Sequence, residues 1–90
     1  MAKFLVERHL PGITPEQLQA AATAARDNAA QLTQEGTDVT YLRSTFIPSE
    51  ERCFCLFEGA DERAVIEANR RANLPFERVV EAMHLANEDL

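Results

Sequence analysis

The sequence is short of the residues and segments that several protein classes require. Its two cysteines are too few for a disulfide framework. It contains no apolar run near the ~20 residues of a membrane span, and the apolar run at its start is too short for a signal peptide. Nine basic residues against fifteen acidic ones leave a net charge of −6, which repels phosphate backbones and anionic lipid. We therefore expect no membrane segment and no nucleic-acid partner.

Local motifs of enzyme active sites are absent as well. With three glycines in the chain, there is no glycine-rich phosphate loop, and neither a Ser/His/Asp signature nor a spaced Cys/His cluster occurs. The sequence names no catalytic residue and leaves enzymatic activity open. Cys53 and Cys55 stand two apart in a predicted strand, where parallel Cβ directions disfavour a disulfide bond. Reduced, buried thiols are expected, and they indicate a cytoplasmic protein.

What the chain does have is a regular succession of strand and helix patterns. Thr14-Pro15-Glu16-Gln17 is a capping box with proline at the first helical position, and Gly36 suits the end of that helix. Asp61 caps a second helix, which Asn73 and Pro75 end. Strands are predicted, from alternation and β-branched or aromatic residues, over residues 3–9, 39–47, 52–58 and 78–85, and helices over 15–35 and 62–72.

The order of these elements predicts the fold. Strand, helix, strand, strand, helix, strand is the split βαβ arrangement, an α+β ferredoxin-like domain with a four-stranded antiparallel sheet and both helices on one face. At 90 residues the chain has room for one core. We expect a single ferredoxin-like domain spanning residues 1–90, with a tail after residue 85 that frays.

Alternation along each strand divides its side chains between the helices and the open face of the sheet. The helix side is predicted to take Phe4, Val6, Leu42, Phe46, Cys53, Cys55, Phe57, Val80 and Ala82. The open face is predicted to take Leu5, Glu7, His9, Tyr41, Arg43, Thr45, Phe54, Leu56, Glu58, Glu81 and Met83. Four apolar residues of that open face would not normally stay in water. A homodimer that covers them is expected.

The same assignment places three carboxylates close together. The ferredoxin-like strand order would set Glu7 between Glu58 and Glu81, with His9 at the strand end. Glu7, His9 and Glu58 then suit a divalent metal. Tyr41, Arg43 and Glu81 suit a small organic anion in a dimeric α/β-barrel enzyme or binding protein. A third interpretation remains open, in which the glutamates are solvated or pair with cross-strand arginines.

Three stretches also carry a family resemblance. Phe4-Leu5-Val6-Glu7-Arg8 with Leu10-Pro11-Gly12, then residues 52–60, then 64–75, resemble a family of small bacterial domains of unassigned function, whose best described members are nickel-binding or nickel-responsive proteins. The resemblance implies a ferredoxin-like fold, a homodimer and binding of nickel or another divalent ion. Glu7, Arg8, Cys55 and Glu58 match the family pattern. The chain departs from it at Arg43 and Ala68, where members often carry histidine.

Overall fold

The computed structural model describes all 90 residues, Met1–Leu90. Its four strands are β1 (Ala2–His9), β2 (Val39–Ile47), β3 (Arg52–Gly59) and β4 (Arg78–Ala82), its helices are α1 (Pro15–Gln34) and α2 (Glu62–Arg71), and a 3₁₀ turn (Asn87–Asp89) follows β4. The strands form one antiparallel sheet in the order β2-β3-β1-β4. The predicted ferredoxin-like α+β fold is confirmed.

The helices begin where the local sequence chemistry places them. Thr14 accepts a hydrogen bond from the Gln17 amide while the Gln17 side chain accepts one from the Thr14 amide, so the capping box is complete. Asp61 caps α2 by accepting from the Ala64 amide. Asn73 follows α2 with a positive φ of 57°, the left-handed conformation that asparagine tolerates. Neither helix combines the length and apolar character needed to cross a membrane.

The core lies between the sheet and the two helices. Alanine side chains on α1 let that helix approach the sheet closely. Phe57 of β3 and Val65 of α2 are fully buried in the core between the sheet and the helices. The predicted helix-side residues of β1 and β3 are all buried, as alternation requires: Phe4, Val6, Cys53, Cys55 and Phe57. Two polar residues, Arg8 and Asn69, are buried among them.

Two strands differ from the predicted facing. In β2 a bulge falls between Tyr41 and Arg43 and leaves Leu42 unpaired and exposed. Because a bulge inserts one residue, the side chains before it change face relative to a regular strand. The placements of Leu42 on the helix side and of Tyr41 on the open face are therefore wrong. Arg43 and Phe46, which follow the bulge, lie on the predicted faces.

Strand β4 is shifted by one residue and is shorter than predicted. Val79 pairs with the buried Val6 and enters the core, whereas Val80 pairs with Leu5 on the open face. Two adjacent valines satisfy either alternation, so the sequence pattern did not distinguish them. The helix-side placement of Val80 and Ala82 is wrong, and so is the continuation of the strand to Leu85.

Candidate functional site

The face of the sheet away from the helices carries the charged candidates, and we call it the open face. The strand register determines which residues lie on the open face. This face consists of Lys3, Leu5, Glu7 and His9 from β1, Thr40, Arg43, Thr45 and Ile47 from β2, Arg52, Phe54, Leu56 and Glu58 from β3, and Arg78, Val80 and Ala82 from β4. An apolar centre is thus bordered by charged groups at both ends of the strands.

One end of the open face holds Glu7 and His9, two residues apart on β1. The Glu7 carboxylate lies 2.5 Å from Nε of Arg78, which is its cross-strand neighbour on β4. The Glu7 side chain is 16% exposed, whereas His9 is open to solvent. Beyond His9, Arg52 donates to the Glu77 carboxylate, and this hydrogen bond lowers the pKa of Glu77. The end of the sheet is therefore lined by alternating acids and bases.

Glu58 lies at the opposite end. It pairs with Lys3, whose Nζ is 3.3 Å from its carboxylate. Lys3 and Glu7 are four residues apart on β1, a separation of about 13 Å at ~3.3 Å per residue. Glu81 pairs with Phe4 and hence lies on the helix side of the edge strand. The expected grouping of Glu7, Glu58 and Glu81 is wrong for a single chain. Glu58 pairs with Lys3 and Glu7 pairs with Phe54, so the β1–β3 register sets Glu7 and Glu58 at opposite ends of the sheet. The register of β4 turns Glu81 to the helix side.

Tyr41 and Arg43, expected to hold an anion together, lie on opposite faces. The Tyr41 ring packs edge-to-face against Phe57, with ring centroids 5.6 Å apart, and its hydroxyl lies 2.7 Å from the Ser44 hydroxyl. Arg43 extends over the open face and donates to Thr45. The bulge at Leu42 causes this separation. No anion-binding pair forms from Tyr41, Arg43 and Glu81 within one chain.

His84 is a candidate that the sequence pattern did not select. Its Nδ1 lies 3.1 Å from the Arg43 guanidinium, and because a guanidinium only donates, Nδ1 is the acceptor in this contact. Arg43 is on β2 and β4 is at the other edge, so the chain after β4 turns back over the open face. Leu56, beneath this crossing, is 3% exposed. No local pattern predicts such a contact between residues 41 positions apart.

A divalent cation in a protein site usually needs three or more donor side chains, or fewer with several waters. No group of three or more His, Cys, Asp or Glu residues in the chain is arranged to hold one. Glu7 and His9 form one partial set of metal ligands, and Glu58 forms another at the far end of the open face. Each set has oxygen or imidazole donors that suit a divalent transition metal.

Comparisons with known proteins agree with the fold and the resemblance. The family model described as "Nickel responsive protein SCO4226-like" matches residues 4–82. The crystal structure of SCO4226 from Streptomyces coelicolor A3(2) superposes with a TM-score of 0.73 at 25% sequence identity, over 94% of this chain and 100% of that one. No curated protein is significantly similar to the sequence. The match to the family model over most of the chain shows that this protein belongs to the SCO4226-like family of nickel responsive proteins.

Proposed function

We propose that the protein binds nickel(II), or a divalent cation that prefers similar ligands, as a homodimer whose metal sites are shared between two open faces. Membership of a nickel responsive family supports the metal. The observation that supports a site shared between two protomers is the position of the metal-ligand side chains. Glu7 and His9 lie at one end of the open face and Glu58 lies at the other. Two incomplete sets become one site only when a second copy supplies the missing part.

The apolar centre of the open face supports the dimer. Leu5, Phe54 and Val80 are only half-buried in one chain, and Leu42 and Met83 stand exposed at its borders, 40% and 85% respectively. Exposed apolar patches bordered by polar residues are typical of protein interfaces. One side-chain hydrogen bond, from Arg43 to His84, ties the tail to this face. The tail can therefore move aside or join the interface at small cost.

Symmetry then determines which residues meet. A two-fold axis makes an isologous interface, in which the same patch of both copies is used. If the axis reverses the strand direction, Glu7 and His9 of one protomer face Glu58 of the partner subunit. The dimer then has two equivalent sites, each with two carboxylates and one imidazole, and water completes the octahedral shell. Oxygen and imidazole donors both suit nickel(II).

The ion pairs on this face oppose binding only weakly. Arg78 holds Glu7 and Lys3 holds Glu58, and exposed pairs of this kind contribute about 0–1 kcal/mol each. Two carboxylates also offset the charge of a divalent ion, so the basic side chains can swing into solvent when it binds. Two free, buried cysteines fit a reducing compartment such as the cytoplasm.

Native mass spectrometry on the chelator-stripped protein tests the proposal. We expect a dimer that takes up two nickel ions, and no uptake by the Glu7→Gln dimer. Glu81→Gln is the matched control, because this glutamate lies on the helix side of the same sheet, and it should bind like the wild type. A monomer at micromolar concentration, or full nickel uptake by Glu7→Gln, would contradict the shared site.

A further inference from the structure

Arg8 is buried on the helix side of β1, opposite to the face of the proposed nickel site. It is 2% exposed, and its guanidinium donates to Oδ1 of Asn69 at 2.8 Å and to the carbonyl oxygen of Pro75 at 3.1 Å. Both acceptors are neutral, and no carboxylate lies within ion-pair distance of Arg8. A buried cation without a counter-charge costs several kcal/mol. The surroundings of Arg8 should therefore contain an anion.

The ionisable groups beside Arg8 are two thiols. A cavity of about 10 Å³, the space of a single water molecule, lies between α1 and the sheet, and Arg8, Ser44, Cys53 and Cys55 are its polar lining. The rest of its wall is apolar. Small alanine side chains of α1 leave this space open over the sulfur atoms.

Hydrogen bonds in the cavity favour a negative charge on Cys55. The Cys53 and Cys55 sulfurs are 3.7 Å apart, the Ser44 hydroxyl is 3.0 Å from the Cys55 sulfur, and Tyr41 in turn bonds Ser44. Donation from the Cys53 thiol, helped by the charge of Arg8 and by Ser44, lowers the pKa of Cys55 although burial opposes this. The same bond and burial raise the pKa of Cys53. The pair thus keeps one proton, on Cys53.

We propose that Cys55, which lines the same cavity as the buried Arg8, is a thiolate and a site of oxidation by hydrogen peroxide. In this step the Cys55 sulfur attacks one peroxide oxygen and forms an S–O bond. The O–O bond breaks with its electron pair on the distal oxygen, which leaves as hydroxide, while the attacked oxygen keeps its proton as the S–OH group. Sulfur loses two electrons, peroxide gains them, and Cys55 becomes a sulfenic acid.

The cavity fits this product better than the alternatives. One added oxygen fills the space of one water molecule, and Arg8 and Ser44 can donate to it. A disulfide is disfavoured because β3 holds the Cα atoms of residues 53 and 55 about 6.6 Å apart, near the upper limit of about 6.8 Å for a disulfide, with parallel Cβ directions. A soft metal would meet the guanidinium charge and find two sulfurs without a third ligand. Sulfenic acid is therefore the expected stable product.

Trapping with dimedone, a diketone that labels sulfenic acids, tests the site of oxidation. The full, reduced, metal-free chain is treated with equimolar hydrogen peroxide and mapped by peptide mass spectrometry. We expect one label on Cys55, none in Cys55→Ser, and a retained label in the matched control Cys53→Ser. A label that stays in Cys55→Ser, or a Cys53–Cys55 disulfide as the main product, would overturn the proposal.

The role of Arg8 has its own test. An ordinary thiol is a few per cent thiolate at pH 7, so the loss of the guanidinium in Arg8→Met should slow oxidation at that pH by a factor of at most roughly thirty, because the hydrogen bonds from Cys53 and Ser44 remain. Because that variant removes a buried group and can fail to fold, the ultraviolet absorbance of thiolate is also titrated in the wild type. We expect the thiolate absorbance band to be present at neutral pH and to disappear on acidification. A thiolate band that appears only under alkaline conditions would refute the assignment of Cys55 as a thiolate.

Failure of the oxidation proposal can be distinguished experimentally from failure of the nickel proposal. The cavity and the open face lie on opposite sides of the sheet, so Cys55→Ser should take up nickel like the wild type. If nickel uptake depends on Cys55 and nickel protects the sulfur from peroxide, the thiols are metal ligands and the oxidation proposal is wrong. A protein that binds no nickel can still be oxidised at Cys55 as described.

Discussion

Replacing Asn69 by alanine measures how strongly the fold depends on the buried guanidinium of Arg8. The change removes the 2.8 Å bond from Arg8, and a hydrogen bond to a charged group contributes about 1.5–3 kcal/mol. It also removes the bond from the Asn69 amide to the Val65 carbonyl, at 2.8 Å, which is worth roughly 0.5–1.5 kcal/mol. Alanine returns about 0.5 kcal/mol of helix propensity. We expect Asn69→Ala to lower the free energy of unfolding by about 1.5–4 kcal/mol.

Asn28 provides a matched control on the other helix. Its side chain donates to the carbonyl four residues earlier, that of Ala24, at the same 2.8 Å, but no arginine contacts it. Urea unfolding of Asn28→Ala should give a change within about 1 kcal/mol of zero, because the propensity gain offsets the lost bond. A domain of 90 residues has about 5–13 kcal/mol in total, so the difference is measurable. Equal losses in the two variants would refute the reasoning.

Two further predictions concern the ends of the helices and the bulge. A hydrogen bond from Arg71 lowers the pKa of Glu35 below its ordinary value of 4.5, so this carboxylate stabilises the fold above that pH and ceases to do so as the pH falls through its folded pKa. Urea unfolding should show Glu35→Gln less stable than the wild type at pH 7, with the two converging in acid; a constant difference would contradict this. In protein dilute enough to be monomeric, Leu42→Lys should change the free energy of unfolding by no more than about 0.5 kcal/mol, because Leu42 is the exposed bulge residue of a single chain. A loss of several kcal/mol in the monomer would place Leu42 in the core.

The fold was readable from the sequence where local chemistry and packing agree. The capping box at Thr14, the cap at Asp61 and the left-handed Asn73 are decided by neighbouring residues, and all three are present. Alternation also assigned β1 and β3, since apolar residues at every second position, Phe4 and Val6 in β1 and Cys53, Cys55 and Phe57 in β3, are the ones buried against the helices. The order of elements then left few alternatives to the ferredoxin-like sheet.

The candidate site was less readable because it depends on register. A single inserted residue at Leu42 moved Tyr41 to the helix side, and the adjacent valines of β4 fit two registers. Those two shifts moved Tyr41 and Glu81 to the face opposite Arg43, whereas the β1–β3 pairing itself separated Glu7 from Glu58. His84 approaches Arg43 through a turn of the tail that no periodic pattern records. Arg8 has the same parity on β1 as Phe4 and Val6, so alternation could have indicated a buried arginine, but Arg8 was not among the predicted helix-side residues.

Mixed dimers test the shared nickel site most directly. Glu7→Gln and Glu58→Gln are each prepared, one of them with nitrogen-15, unfolded together and refolded, so that native mass spectrometry resolves homodimers from heterodimers. A heterodimer pairs the intact Glu7 of one protomer with the intact Glu58 of the other at one site, while both changes meet at the second site. We predict no nickel on either homodimer and one nickel ion on the heterodimer. A heterodimer without nickel, beside a wild-type dimer that binds it, would contradict the shared site.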